Sequence, residues 1–156
     1  MIRRMSRSTS RRVLAVASSG GHWVQLRRLA PAFDGHDVAY LTTHPGHRDE
    51  VAPARFYTVA DASRWSKVAL LRSALRILWV LARERPDVVV STGAAPGYIA
   101  IRGAKLFGAR TLWIDSVANV EELSLSGRMA GERADLCLTQ WPHLADGPVQ
   151  YLGAVL

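Results

Sequence analysis

Cysteine is almost absent: Cys137 stands alone in 156 residues. One thiol excludes an internal disulfide and a cysteine-based metal site, and fits a reducing compartment. Within "ADLCLT" it reads as a buried structural thiol. Long hydrophobic runs are missing too, none reaching the roughly 18 apolar residues that span a bilayer. "MIRRMSRSTSRR" has the positive start of a secretory signal, but the apolar stretch behind it, Val13–Ala17, is too short for one. The expectation is a cytoplasmic chain, or one that lies on a membrane without crossing it. Acidic residues are absent before Asp34, whereas residues 1–33 hold seven arginines; thirteen bases then balance thirteen acids, so the first stretch carries the whole net charge of +7. Residues 1–12 read as a basic, disordered arm that attracts polyanions, nucleic acid or anionic lipid. A solubilising tail or a mis-assigned start would look the same.

What is present is a folded domain. Nearly half the residues are apolar and 21% are charged, the balance of a globular chain of about one domain. Strands are expected at Val13–Ala17, Asp37–Thr42, Arg55–Val59, Asp87–Ser91, Arg110–Ile114 and Ala134–Thr139. Helices are expected at His22–Leu29, Trp65–Glu84, Gly97–Phe107 and Leu123–Arg133. "DVVVS" and "TLWID" are apolar on both faces, as strands of a parallel sheet covered on both sides are. Residues 13–156 therefore read as one Rossmann-like, doubly wound α/β domain with a parallel sheet.

In such a sheet ligands bind beyond the carboxyl ends of the strands. Three loops stand there: "SSGGHW", "STGAAPG" and "DSVANVEELSLSG". In the first, Gly20 and Gly21 allow a tight turn and close backbone approach. The helix behind them offers free N–H groups to an anion. Ser18 and Ser19 add hydroxyl donors, and His22 can hydrogen-bond an anion or accept a proton. A histidine that merely caps or packs would read alike. The loop is neither Gly-x-Gly-x-x-Gly nor a Walker A sequence, which disfavours NAD and ATP chemistry. The second loop repeats the design with Ser91, Thr92 and Gly93, and Pro96 suits a first helical turn. Asp115, after the fifth strand, could orient a sugar hydroxyl, act as a base, or only form an Asx-type turn. Glu121 and Glu122 read as a solvated or capping pair. His44, His47 and Asp49 in "THPGHRDE" sit too loosely, on a flexible loop, for a metal site.

The long helical pattern "RWSKVALLRSALRILWVLAR" is apolar nearly all round. At 100° per residue, Arg72, Arg76 and Arg83 fall within about 40° of one another, and Trp65 and Trp79 flank them. An arginine–tryptophan stripe of this kind suits a membrane interface. A core helix with one wet face would carry the same stripe.

"SSGGHWVQL", "PDVVVSTGAAPG", "LFGARTLWIDSVANVEELSLSG" and "ADLCLTQWPHL…VQYLG" together resemble, in order and spacing, the membrane-associated subunit of split UDP-N-acetylglucosaminyltransferases. Dolichol-pathway and bacterial exopolysaccharide enzymes belong to this type, which is similar to the amino-terminal half of the peptidoglycan transferase MurG, of GT-B fold. The resemblance covers most of residues 13–154. It implies that the chain binds a polyprenyl-diphosphate-linked saccharide acceptor at the inner face of the membrane. A second chain would bind the UDP-sugar, with the active site in the cleft between them. By this resemblance Gly20, Gly21, Thr92 and Gly93 match the acceptor-side glycine loops, His22 the candidate base and Asp115 an acidic position. In many relatives that position holds glutamate. An arginine arm stands where the eukaryotic branch has a membrane helix. A GT-B enzyme needs two Rossmann-like halves and 156 residues supply one, so donor binding is expected from a partner.

On this leading reading no cofactor or metal is needed, and Arg27 and Arg28 add positive potential beside His22. A self-sufficient sugar-phosphate or nucleotide-sugar enzyme is the second reading. A non-catalytic nucleic-acid binder is the third, weakened because no aromatics interleave with the basic residues and no nucleic-acid motif appears.

Overall fold

The computed structural model describes residues 9–61 and 66–155. The chain runs β1 (Arg12–Val16), α1 (Gly21–Arg28), β2 (Asp37–Thr42), α2 (Arg48–Val51), β3 (Arg55–Thr58) and α3 (Lys67–Glu84). It continues with β4 (Val88–Ser91), α4 (Ala94–Ala104), β5 (Arg110–Ile114), α5 (Leu125–Gly131), β6 (Leu136–Thr139) and β7 (Val149–Tyr151). The strands form one seven-stranded sheet, order β3-β2-β1-β4-β5-β6-β7, with every neighbouring pair parallel.

Alternation along β1 explains why both faces need cover. Leu14 and Val16 pack with Ile77, Val80 and Leu81 of α3, Ile101 of α4 and Trp113. Ala15 and Ala17 lie in the opposite layer with Trp23 and Leu26 of α1, Tyr40 and Phe56. Parallel strands buried on two sides must be apolar at consecutive positions, which is what "VLAVA" and "DVVVS" supply. The chain winds outward from β1 to β3 and then returns to β4 on the other side of β1. That reversal opens a crevice between the carboxyl ends of β1 and β4, the position where doubly wound sheets bind ligands.

Several boundaries differ from those read in the sequence. β1 begins at Arg12, and Arg11 already joins the sheet edge through Asp37 N–H donating to its carbonyl at 2.9 Å. Residues 1–8 of the arm lie outside the described residues, as does Trp65. α4 begins at Ala94, three residues earlier than expected, and α5 is shorter at both ends. The "THPGHRDE" stretch is a 3-10 turn followed by α2 instead of a flexible loop; the His44 ring accepts from Gly46 N–H at 3.0 Å and caps the turn. β7 was not anticipated.

Candidate functional site

Two strand-to-helix loops meet at the switch point. In the first, Gly20 has φ 77° and caps α1 without a side-chain hydrogen bond. That left-handed geometry favours glycine. Gly20 and Gly21 are exposed, and a Cβ on either would meet nothing within 4 Å. Among the described residues the amides of Gly20, Gly21 and His22 donate to no protein acceptor. Ser18 and Ser19 are half-buried beside them, with Ser19 N–H donating to Thr43 Oγ1 at 3.0 Å.

The second loop seats His22. Its Nδ1 lies 2.9 Å from the Thr92 carbonyl, and Thr92 Oγ1 donates back to the His22 carbonyl at 2.7 Å. A carbonyl only accepts, so Nδ1 carries the proton and Nε2 holds the lone pair of the neutral ring. Gly93 has φ 139°, and a Cβ there would fall inside contact distance of Nδ1 and 2.5 Å from Cε1. The glycine is thus the floor on which the imidazole rests. Ala94, next along, also has positive φ, 68°. Backbone strain of this kind gathers at working sites.

His22, Ala94, Ala95, Ser116, Asn119 and Ser124 are among the residues that line a cleft of about 380 Å³ beyond these loops. The ring therefore sits at the wall of a ligand-sized space with one nitrogen fixed and the other available.

Two sequence expectations change. Thr92, read as a diphosphate ligand, is fully buried with both oxygens turned to His22, so it positions the histidine. Asp115, read as a catalytic carboxylate, is 1% exposed. One carboxylate oxygen accepts from Trp113 Nε1 at 3.1 Å and Ser124 Oγ at 2.6 Å, the other from Asn119 Nδ2 and Ser124 N–H, both at 3.0 Å. Four donors occupy the four lone-pair sites of the carboxylate, leaving none to take a substrate proton. Asp115 pins the loop that forms the far wall of the cleft. Arg27 and Arg28 also face elsewhere: Arg27 lines a separate hollow with Tyr40 and Glu50, and Arg28 reaches the Val155 carbonyl at 3.5 Å. His47 is held by Glu50 Oε1 at 2.6 Å and stacks on Trp23 with centroids 4.7 Å apart.

Sequence reasoning missed a buried amide pair. Gln25, one turn after His22, donates to Ser116 Oγ at 3.0 Å. Its Oε1 accepts from Val117 N–H at 3.1 Å and Gln140 Nε2 at 2.6 Å. Gln140 also donates to the Asp115 carbonyl at 2.9 Å and accepts from Val155 N–H at 2.7 Å. The helix carrying His22 is thereby tied to the cleft wall and to the carboxyl-terminal segment. Gln25 and Gln140 both lie inside quoted motifs; a polar amide in an otherwise apolar run was the available signal.

α3 turns Ser73, Ile77, Val80 and Leu81 inward. Outward it presents Val68, Leu71 and Leu75, exposed by 71, 60 and 58%. Trp79 adjoins this row, with the Arg76 guanidinium 4.4 Å and that of Arg83 5.5 Å from its ring centroid. Arg72 is exposed on the same flank. No helix among the described residues is long and apolar enough to cross a membrane.

Comparison with known proteins agrees with this architecture. The UDP-N-acetylglucosamine transferase subunit ALG14 of Eremothecium gossypii is 28% identical, the match covering 89% of this chain and 76% of that protein. Its counterpart from Mus musculus is 25% identical, over 94 and 84% respectively. Among solved structures, Acinetobacter baumannii MurG superposes with TM-score 0.74 at 16% identity, over 92% of this chain and 45% of MurG. A UDP-N-acetylglucosamine 2-epimerase from Rickettsia bellii gives 0.70 at 14%, over 94 and 45%. The chain thus spans less than half of either solved protein and has the fold of one half of a GT-B enzyme. A family model described as oligosaccharide biosynthesis protein Alg14 like matches residues 50–155, more than half of the sequence. The chain belongs to the Alg14-like family.

Proposed function

We propose that this chain is the acceptor-binding subunit of a two-chain UDP-N-acetylglucosamine transferase acting on a polyprenyl-diphosphate-linked saccharide. The observation that carries the reading is the seated His22: Nδ1 fixed on the Thr92 carbonyl, Nε2 left as proton acceptor, beside exposed glycine amides. The amides of Gly20 and Gly21, at the positive end of α1, hold the acceptor diphosphate. Ser18 and Ser19 supply further donors beside it. Gly93 keeps the ring seat open, and Thr92 and Asp115 are positioning residues.

In the reaction the acceptor hydroxyl oxygen forms a bond to the anomeric carbon of the donor sugar. The bond from that carbon to the UDP phosphate oxygen breaks, and UDP leaves with the electron pair. The hydroxyl proton passes to His22 Nε2. An imidazole nitrogen with a free lone pair, held at the wall of the cleft, is suited to that step. The donor-binding half comes from a partner chain, in keeping with the subunit names of the relatives.

The chain meets the cytoplasmic face of the membrane through α3. Val68, Leu71 and Leu75 enter the interface, Trp79 sits at headgroup level, and Arg72, Arg76 and Arg83 face lipid phosphates.

Co-expression with the neighbouring open reading frame, followed by UDP-N-acetylglucosamine transfer on isolated membranes, tests the reading. Activity that requires both chains and falls at least a hundredfold in His22→Ala supports it. Full turnover by this chain alone, as a self-sufficient enzyme would give, overturns it.

A further inference from the structure

A second cleft lies at the opposite end of the sheet from His22, below the amino ends of β1, β4 and β5. Its volume is about 520 Å³, and Arg11, Arg12, Arg85 and Arg110 line it. Among the described residues Asp87 is the only carboxylate in its lining, and Arg12 occupies it: the Arg12 N–H donates to Asp87 Oδ2 at 2.8 Å and its guanidinium stands 3.5 Å from Oδ1. Among the described residues Arg11, Arg85 and Arg110 have no carboxylate partner. Residues 1–8 and 62–65 contain no aspartate or glutamate that could supply one. Four guanidiniums share one cleft with a single carboxylate, so positive charge is in excess there, and an anion between them relieves their mutual repulsion.

Arg85 adds a second observation. It ends α3 in the left-handed region, φ 45°, where helices usually place glycine. A long cationic side chain thus stands where the backbone favours glycine, and that side chain lines the cleft.

We infer that this arginine cleft is a phosphate-binding site, separate from the cleft at His22. Arginine is suited to the task because its fork of N–H donors matches phosphate oxygens in pairs. The phosphate can belong to a soluble phosphate compound or to a lipid headgroup. The second source is geometrically open, since Ala82 of α3 lines the cleft and the exposed Phe107 forms part of its rim.

The test uses the full chain, inorganic pyrophosphate and vesicles with or without phosphatidylglycerol. The double variant Arg85→Gly/Arg110→Gln removes two unpaired charges, and glycine at 85 suits the local backbone, so Tm is expected to hold. In the wild type and in His22→Ala, pyrophosphate shifts the NMR amide signals of Gly108 and Arg110. In the double variant its affinity at this cleft falls at least tenfold. If vesicle binding falls with it and pyrophosphate competes, the source is a lipid headgroup; if vesicle binding is unchanged, the source is soluble phosphate. Shifts confined to Gly20 and Gly21, or equal affinity at this cleft in the double variant, overturn the inference without touching the role of His22. Loss of vesicle binding in Leu71→Ser/Leu75→Ser concerns the α3 face alone.

Discussion

Gly93→Ala is the sharpest perturbation of the histidine seat. At φ 139° and ψ −179° the backbone lies in a region open almost only to glycine, which costs about 1–3 kcal/mol for alanine. The new methyl would also overlap the His22 ring, so the imidazole must leave the Thr92 carbonyl 2.9 Å away and forfeit a hydrogen bond of about 1 kcal/mol. The sum is about 2–4 kcal/mol, or a Tm lowered by roughly 4–16 °C in a domain of this size. A double-mutant cycle separates the two causes, because His22→Ala removes the clash and leaves the backbone strain. Urea unfolding should find Gly93→Ala cheaper by about 1 kcal/mol or more in the His22→Ala background. An equal cost in both backgrounds would refute the contact between ring and glycine floor.

Further outcomes follow from the same geometry. Asp115→Ala strands the donors of Trp113, Asn119 and Ser124 and should cost about 3 kcal/mol or more by denaturant unfolding; an unchanged stability would return Asp115 to a catalytic role. Leu71→Ser/Leu75→Ser removes two half-exposed aliphatic chains from the α3 face, worth about 2 kcal/mol of interface burial together, so vesicle partitioning should drop roughly thirtyfold with Tm little altered. Burial, and after it the Asp115 charge, push the Cys137 thiol up to about 12. The thiol should resist alkylating reagents at pH 8 until the protein unfolds. Because the folded value is the raised one, stability is complete below the ordinary thiol range and declines from about pH 9 towards pH 12, a decline that Cys137→Ala should reduce. Asp135 shows the opposite sign. Lys105 at 2.6 Å, with Thr111, holds its carboxyl below the usual range, so its contribution fades as pH falls below about 4, and Asp135→Asn should flatten acid unfolding there.

The strands were legible because their signal is local. "DVVVS" and "TLWID" needed only consecutive apolar residues, and β2 and β5 have the bounds read from sequence. β7 escaped because three residues, two of them exposed, carry no such run. The start of α4 was misplaced because positive φ at both Gly93 and Ala94 turns the chain sharply into the helix, a backbone event that composition does not record. At the site, the glycine and histidine types were visible, but their pairing was not. Thr92 looked like a ligand since its partner His22 lies 70 positions away. The Gln25–Gln140 bond, across 115 positions, has no local signature either. Asp115 was misjudged for another reason: a carboxylate at a strand end looks the same whether its donors come from substrate or from the next loop. Along α3 the residues read as an apolar cylinder, and only packing decided that Ile77 and Val80 face inward while Leu71 and Leu75 stay uncovered.

If Gly20, Gly21 and His22 receive the acceptor diphosphate, a nitrogen-15 NMR titration with a short-chain prenyl diphosphate saccharide reads it directly. The amides of Gly20, Gly21 and His22 should show the largest shifts, the His22 ring should respond with them, and His22→Ala should weaken binding. Saturable binding that leaves those three amides unmoved would contradict the assignment.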